Sequence, residues 1–224
     1  MADLLLVFDL DGTLVDSVPD LTSALNQVLR ERGYPPLSRA DVASMVGDGV
    51  PDLVARGFAA RGAPASEAAA ALPRYLELYE ANATALTRPY PGVRDTLIDL
   101  RRRGYRHAVC TNKPQQATMA VLEGLDLAVL FDGVAGGDRY PVKKPDPRHL
   151  LSLIGDLGGN PGRAAMIGDS ENDAAVAHAA AVPLILMRHG YCRVDPATLG
   201  AALVLDHFAE LPQALETLGL TPSA

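Results

Sequence analysis

Leu4-Leu5-Leu6-Val7-Phe8-Asp9-Leu10-Asp11-Gly12-Thr13 is the stretch on which the fold turns. Its first five residues are apolar without alternation, too few for a helix, and closed by a polar turn containing glycine. Such a run describes a strand buried on both faces, the strand type of a parallel sheet covered by helices. Four more runs of this kind follow: His107-Ala108-Val109-Cys110, Ala164-Ala165-Met166-Ile167, Leu184-Ile185-Leu186-Met187 after Pro183, and Ala202-Leu203-Val204-Leu205. Helical patterns lie between them. Val93, Leu97 and Leu100 share a face and stop at Gly104, and Pro114 opens a segment carrying Ala117, Ala120 and Val121. Pro147 opens another with Leu150, Leu151 and Ile154, and Ala174 to Ala181 is rich in alanine. Strands alternating with single helices predict an α/β fold, a doubly wound parallel sheet with a Rossmann-like core.

Residues 16 to 84 break that rhythm with helices and no strands. Leu21, Ala24, Leu25, Val28 and Leu29 form one stripe, and Val50, Leu53, Val54 and Gly57 a second. A third helix is expected within Glu67 to Leu86 with Leu72, Leu76 and Tyr79 on its face, preceded by a loop over the alanine-rich Ala63 to Ala71. Turn signals at Pro35-Pro36 and Pro89-Tyr90-Pro91-Gly92 separate the parts. The expected organisation is an α/β core made of residues 1–15 and 85–224, with a small helical domain, 16–84, inserted after the first strand.

Composition narrows the function classes. The net charge of −7 excludes a broad electrostatic footprint for nucleic acid, and Arg101-Arg102-Arg103 reads as the solvated end of a helix. An acidic chain that binds an anion must do so locally, with a metal ion or a few placed donors. The two cysteines, Cys110 and Cys192, offer neither a disulfide framework nor metal spacing, and the five histidines show no ligand spacing. Met1-Ala2-Asp3 brings no basic segment before an apolar run of only five residues, so neither a signal peptide nor a membrane span is expected. A soluble cytoplasmic protein without membrane or nucleic-acid partners is the expectation.

In open parallel sheets ligands sit beyond the carboxyl ends of the strands. After the first apolar run come Asp9, Asp11, Gly12 and Thr13. After the second come Thr111, Asn112 and Lys113, and after the third Asp169, Ser170 and Asp173, with Lys143-Lys144-Pro145 between. Taken singly, each has an ordinary reading: Asp11-Gly12 a hairpin turn, Thr111-Asn112 or Asp169-Ser170 a helix cap, either lysine a surface charge. Together they bring carboxylates, a hydroxyl and an ammonium to one mouth. Crowded carboxylates call for a cation, and hard oxygen ligands select Mg²⁺, which also takes substrate phosphate. Two carboxylates on one loop can divide nucleophilic and acid–base work, and Gly12 lets the backbone approach a phosphate.

Asp9-Leu10-Asp11-Gly12-Thr13-Leu14-Val15-Asp16-Ser17 resembles the first motif of the haloacid-dehalogenase-like hydrolases. Thr111-Asn112-Lys113-Pro114 resembles their second, Lys144-Pro145-Asp146-Pro147 their third, and Gly168-Asp169-Ser170 with Asp173 their fourth. Val46-Gly47-Asp48-Gly49-Val50 with Leu53 and Arg56 resembles the phosphoglycolate phosphatase branch. The resemblance implies Mg²⁺-dependent hydrolysis of a small phosphate monoester, 2-phosphoglycolate foremost, with Asp9 as nucleophile and Asp11 as acid and base. It implies Asp9, the carbonyl of Asp11 and Asp169 as metal ligands. Thr111 and Asn112 would bind phosphate beside Gly12 and Thr13, Lys144 would neutralise charge, and Asp173 would orient Lys144 or a metal-bound water. Lys143 competes with Lys144, and the Lys-Pro pairing favours the latter. The insert would be a cap that selects the leaving group. Arg56 is read there either as a cation for a substrate carboxylate or as a packing arginine, and Gly190-Tyr191 as a structural turn. Another sugar or nucleotide phosphatase and a sugar phosphomutase are the nearest alternatives; a mutase carries a cap arginine where Val50 stands. A non-catalytic binding protein on the same fold would have lost a catalytic group, and none is missing. Relatives often carry glycine where this chain has Ala181.

Overall fold

A computed structural model describes residues 4–222, so the stretch Met1-Ala2-Asp3, on which the expected absence of a leader partly rests, lies outside the described residues. The chain runs β1 (Leu5–Phe8), β2 (Val15–Asp16), α1 (Val18–Glu31), α2 (Arg39–Ala43), α3 (Val50–Ala59), α4 (Ala65–Glu80), β3 (Arg88–Pro89), α5 (Val93–Arg102), β4 (Arg106–Cys110), α6 (Gln115–Gly124) and β5 (Gly133–Ala135). It continues through α7 (Pro147–Asp156), β6 (Ala164–Gly168), α8 (Glu171–Ala179), β7 (Leu184–Met187), β8 (Leu203–Leu205) and α9 (Leu211–Thr217). Six strands form one parallel sheet in the order β5-β4-β1-β6-β7-β8.

β1 is central, pairing with β4 from Leu5↔Arg106 to Phe8↔Val109 and with β6 from Leu5↔Ala164 to Phe8↔Ile167. Alternation along it feeds two cores. Leu4, Leu6 and Phe8 pack on the face that carries Leu97 and Leu100 of α5, Val121 of α6 and Leu211 and Leu215 of α9. Leu5 and Val7 pack on the opposite face, with Leu150 and Ile154 of α7 and Val176 and Ala177 of α8. A sheet with helices on both faces is the doubly wound arrangement expected from the continuous apolar runs.

The helical insert leaves and rejoins the core through a two-stranded antiparallel ribbon, Val15↔Pro89 and Asp16↔Arg88. Just inside it, the buried carboxylate of Asp20 in α1 accepts from the N–H groups of Leu86 (3.0 Å) and Thr87 (2.7 Å) and from the Thr87 hydroxyl (2.7 Å), tying the returning chain to the departing one. Within the insert α1 and α3 both pack on α4.

α4 departs from expectation. The alanine run read as a loop is its first turns, from Ala65, because alanine is the residue that costs least in a helix. Its buried face is Ala68, Ala71, Tyr75 and Tyr79, whereas Leu72 and Leu76 are only half-buried. The two tyrosine rings stack at 6.0 Å, small residues beneath making room for large ones. The helix stops at Glu80, and Leu86 beyond it is exposed. Four elements carry no pattern strong enough to read: β5, three residues starting with glycine; the ribbon strands β2 and β3, two residues each; and α2, a five-residue helix held by a capping box between Ser38 and Asp41. The short α9, too, was not anticipated. No helix among the described residues is long and apolar enough to cross a membrane.

Candidate active site

The site lies where β1, β4 and β6 end side by side. Asp9 follows β1, Thr111 follows β4 and Asp169 follows β6, while Lys144 arrives from the loop before α7. Lys144 is 1% exposed; its ammonium lies 3.0 Å from Asp9 Oδ1 and donates to Asp173 Oδ1 at 2.6 Å. Asp9 Oδ1 also accepts from the N–H of Leu10 at 2.7 Å, and no donor among the described residues reaches its Oδ2. Lys143, the competing lysine, points away: its ammonium donates to the carbonyl of Asp48 at 2.5 Å and lies 3.3 Å from Asp52.

Asp169 is fixed from three sides. The Thr13 hydroxyl donates to Oδ1 at 2.7 Å, the N–H of Tyr191 donates to Oδ2 at 2.8 Å, and the backbones of Gly12 and Gly190 press on the carboxylate so closely that a Cβ at either position would collide with it. Gly12 in addition has φ +90°, a conformation that side chains resist. Asp173 is spent on structure: its Oδ1 faces Lys144, and its Oδ2 accepts from the N–H groups of Asp169 (3.1 Å) and Ser170 (3.0 Å) and from the Ser170 hydroxyl (2.7 Å), half of a capping box that starts α8.

Oxygens of Asp9, Asp169 and Asp173 lie within 4.8 Å of one another. Three buried carboxylates against the single ammonium of Lys144 leave negative charge uncompensated, and the proton affinities record it. Burial, opposed by Lys144 and assisted by Asp173, raises the Asp9 carboxyl to about 7. Burial and then the charges of Asp173 and Asp9 hold Asp169 well above the usual carboxylate range. Asp173 accepts from four donors, whereas each Asp169 oxygen accepts from one and Asp9 Oδ2 from none, so Asp9 and Asp169 have more lone-pair capacity to offer a cation. A buried, electron-rich, all-oxygen cluster suits a hard divalent ion.

Asp11 meets a partner the sequence did not announce. The ammonium of Lys113 donates to both its oxygens, at 3.0 and 2.9 Å, and sits 4.6 Å above the ring of Tyr79 from α4. Burial works against that ammonium, yet Asp11 and Tyr79 outweigh it and keep it firmly protonated. Lys113 lies within the second motif, where in sequence a lysine beside a proline looks like any surface charge. Thr111 Oγ1 accepts from the Lys113 N–H at 3.3 Å, leaving its own hydrogen free. The amide of Asn112 donates to the carbonyls of Gly47 (2.9 Å) and Lys144 (3.0 Å), so it bridges insert and core, and its Oδ1 is buried without a partner.

A cavity lies between the mouth of the sheet and the helical insert, lined by Asp9, Asp11, Thr111, Asn112 and Lys113 on the sheet side and by Leu21, Val46, Gly47, Gly49, Val50 and Leu53 from the insert. Its ceiling is thus apolar side chains and glycine backbone. Arg56 does not line it; the guanidinium pairs with Asp48 at 2.5 Å and donates to the carbonyl of Met45 at 3.0 Å. Asp48 also accepts from Asn172 (2.6 Å) and Arg193 (3.0 Å) of the core. Burial pushes its carboxyl up, but these three partners together bring it down to about 2. Tyr191 does more than shape a turn: its N–H holds Asp169, and its hydroxyl donates to Asp16 at 2.7 Å and accepts from the N–H of Ser17 at 3.0 Å, joining the Asp169 carboxylate to the ribbon. Ala181 has φ +53°, which explains why a glycine is at home there.

The chain is similar to known proteins over most of its length. Residues 4–181 match the model of the haloacid dehalogenase-like hydrolases. Phosphoglycolate phosphatase of Caulobacter vibrioides is 45% identical over 95% of this chain and 91% of its own length. That of Rhodospirillum rubrum is also 45% identical, over 97% and 95%. A crystal structure described as a predicted phosphoglycolate phosphatase from Haemophilus somnus superposes with a TM-score of 0.89 at 31% identity, covering 93% of this chain and 96% of the other.

Proposed function

The chain belongs to the haloacid dehalogenase-like hydrolases, and from that premise we propose that it is a phosphoric monoester hydrolase that converts 2-phosphoglycolate to glycolate and phosphate through an aspartyl-phosphate on Asp9. One observation carries the reading: Asp9 borders the cavity with Oδ2 undonated and Oδ1 held by Lys144, while Asp11 stands two residues away on the same wall.

The carboxylates of Asp9 and Asp169 and the backbone carbonyl of Asp11 would hold Mg²⁺. When bound, Mg²⁺ supplies positive charge that offsets the carboxylates and the phosphate dianion. Asp9 Oδ2 attacks phosphorus and the bond from phosphorus to the ester oxygen breaks. Asp11 would have to enter this step protonated, with one oxygen released from the Lys113 ammonium, and would give that proton to the departing alkoxide, which leaves as glycolate. Asp11 then removes a proton from water as that water attacks the acyl phosphate, freeing phosphate and restoring Asp9. Lys144 opposes the effect of burial on the proton affinity of Asp9 and balances charge on the transferring group. Thr111 turns its free hydroxyl hydrogen to a phosphate oxygen, Gly12 and Thr13 hold the loop against Asp169, and Asp173 anchors Lys144. Asn112, its amide engaged by Gly47 and Lys144, ties the insert to the phosphate site.

The apolar ceiling around Val50 holds no cation for a second phosphate, which favours hydrolysis over a mutase reaction. Two unpaired cysteines fit a reducing compartment such as the cytoplasm. The test is a panel of phosphate monoesters compared by kcat/KM with Mg²⁺, in which 2-phosphoglycolate leads. A tenfold preference for a hexose phosphate or a nucleotide, about 1.4 kcal/mol of transition-state binding, refutes the substrate. Hydroxylamine trapping of phosphorylated Asp9, and its absence in Asp9→Asn, tests the intermediate.

A further inference from the structure

We infer that Lys113 recognises the carboxylate of the substrate and thereby selects phosphate esters that carry a carboxyl group one carbon from the ester oxygen. This deepens the glycolate reading above and rests on it.

The argument begins with the cations. Lys113 is the one positively charged side chain among the residues that line the cavity, and it is buried. Lys113 is itself paired with Asp11, but both line the cavity, whereas none of the other cations nearby does: Lys144 pairs with Asp9 and Asp173, Lys143 with Asp48 and Asp52, Arg56 with Asp48 and the Met45 carbonyl, and Arg193 with Asp48 and Glu171. The insert's contribution to the cavity, Leu21, Val46, Val50 and Leu53, has no side-chain donor to offer. A carboxylate enclosed there would find no charged donor in the lining other than Lys113 to offset the loss of its hydration.

Distance supplies the selectivity. In 2-phosphoglycolate one methylene separates the ester oxygen from the carboxylate carbon. The ester oxygen must come within hydrogen-bond reach of Asp11 to receive its proton. Both oxygens of Asp11 already lie within 3.0 Å of the Lys113 ammonium. An ester oxygen delivered to Asp11 therefore carries an α-carboxylate into the same neighbourhood, whereas a carboxylate several bonds further on would overshoot. The ring of Tyr79, 4.6 Å from the ammonium, fixes its position from the insert side, so recognition depends on the insert being seated. Since Lys113 also holds Asp11, its loss will slow every substrate. The ratio between two substrates that share the acid step cancels that common loss and isolates the carboxylate contact.

The experiment measures kcat/KM for 2-phosphoglycolate and for ethyl phosphate, which has an alkyl leaving group of the same length and no carboxylate, in the parent enzyme, Lys113→Met and Lys113→Arg. The parent prefers 2-phosphoglycolate. In Lys113→Met the ratio of the two substrates falls by about thirtyfold or more, the loss of one charge-assisted hydrogen bond in a dry site, and the KM for 2-phosphoglycolate rises with it. Lys113→Arg keeps the charge and most of the ratio. Should Lys113→Met fail to melt cooperatively, Lys113→Gln, which retains a donor to Asp11 without the charge, reads the same ratio. A parental preference that survives in the uncharged variants, with both substrates falling in parallel, overturns the role given to Lys113 and leaves the glycolate reading intact. A parent enzyme that does not distinguish the two substrates overturns the glycolate reading itself, and the carboxylate role of Lys113 with it.

Discussion

Replacing Lys144 by methionine removes the one ammonium among three buried carboxylates while keeping the volume of the side chain. Two effects add. The first is the uncompensated burial of Asp9 and Asp173, whose contacts to Lys144 are 3.0 and 2.6 Å; breaking a buried pair of this kind costs about 3–5 kcal/mol. The second depends on pH. The Asp9 carboxyl is raised to about 7 even though Lys144 holds it down, so without the lysine burial and Asp173 drive it higher. A carboxyl whose folded pKa exceeds its unfolded value contributes stability below the unfolded value and loses it as pH rises through the folded one. At pH 5.5 Asp9 keeps its proton in parent and variant alike, so this effect vanishes. At pH 8 the parent carboxyl is ionised at little expense beyond its value of about 7, while the variant must ionise a weaker acid or hold the proton, a difference of up to one pH unit, about 1.4 kcal/mol. A chain of 224 residues loses about 2–4 °C of Tm per kcal/mol. Scanning calorimetry in chelator should therefore find Lys144→Met about 6–26 °C below the parent at pH 8, with the gap up to about 3–6 °C smaller at pH 5.5. A gap that is equal at the two pH values, or wider in acid, would show that Lys144 is not what keeps Asp9 ionisable, and the charge assignment at the site would fall.

Mg²⁺ must displace protons from Asp9 and Asp169, both raised by burial, so it should increase Tm more at pH 8 than at pH 5.5; an increment independent of pH would place the ion elsewhere. Gly190→Ala puts a Cβ onto the Asp169 carboxylate; overpacking of about 1–3 kcal/mol, relieved by moving Asp169, should abolish the Mg²⁺-dependent rise in Tm and cut kcat more than about a hundredfold while circular dichroism stays parental. Ala181→Gly relieves a left-handed alanine at φ +53° and should gain about 0.5 kcal/mol, because the steric relief of about 1–2 kcal/mol exceeds the entropy that glycine adds to the unfolded chain; denaturant titration at unchanged m measures it.

The sheet could be read because both of its faces are covered: each central strand shows as an unbroken apolar run, and the carboxyl end of each run marks the mouth. Asp9, Asp11, Thr111 and Asp169 stand where that rule points; Lys144, on the loop before α7, is singled out from Lys143 only by the resemblance of its Lys-Pro pair to a motif. β5 escaped because three residues beginning with Gly133 carry no period. α4 was misplaced because leucines outweigh alanines in any hydropathy pattern, whereas the structure buries Ala68 and Ala71 so that Tyr75 and Tyr79 can stack. The pairing of Lys113 with Asp11 spans 102 positions, and the link from Tyr191 to Asp16 spans 175. Such meetings are products of topology, and a single sequence holds no local signal for them. Arg56 shows the reverse case. A cation in the insert looked suited to an anion, but Asp48, eight residues earlier, had already claimed it.

The ribbon of Val15–Asp16 and Arg88–Pro89 has a consequence for how such a molecule can diversify. Adjacent antiparallel strands are about 5 Å apart, a gap that a two-residue turn can close. Seen from the sheet, the four helices between them amount to a detour that begins and ends at one spot. Their number, length and even secondary-structure class place no demand on the registers of β1 with β4 or β6. A module of any size whose own ends meet can be spliced at this junction, so leaving-group preference can be exchanged as a cassette while phosphorus chemistry stays with the sheet.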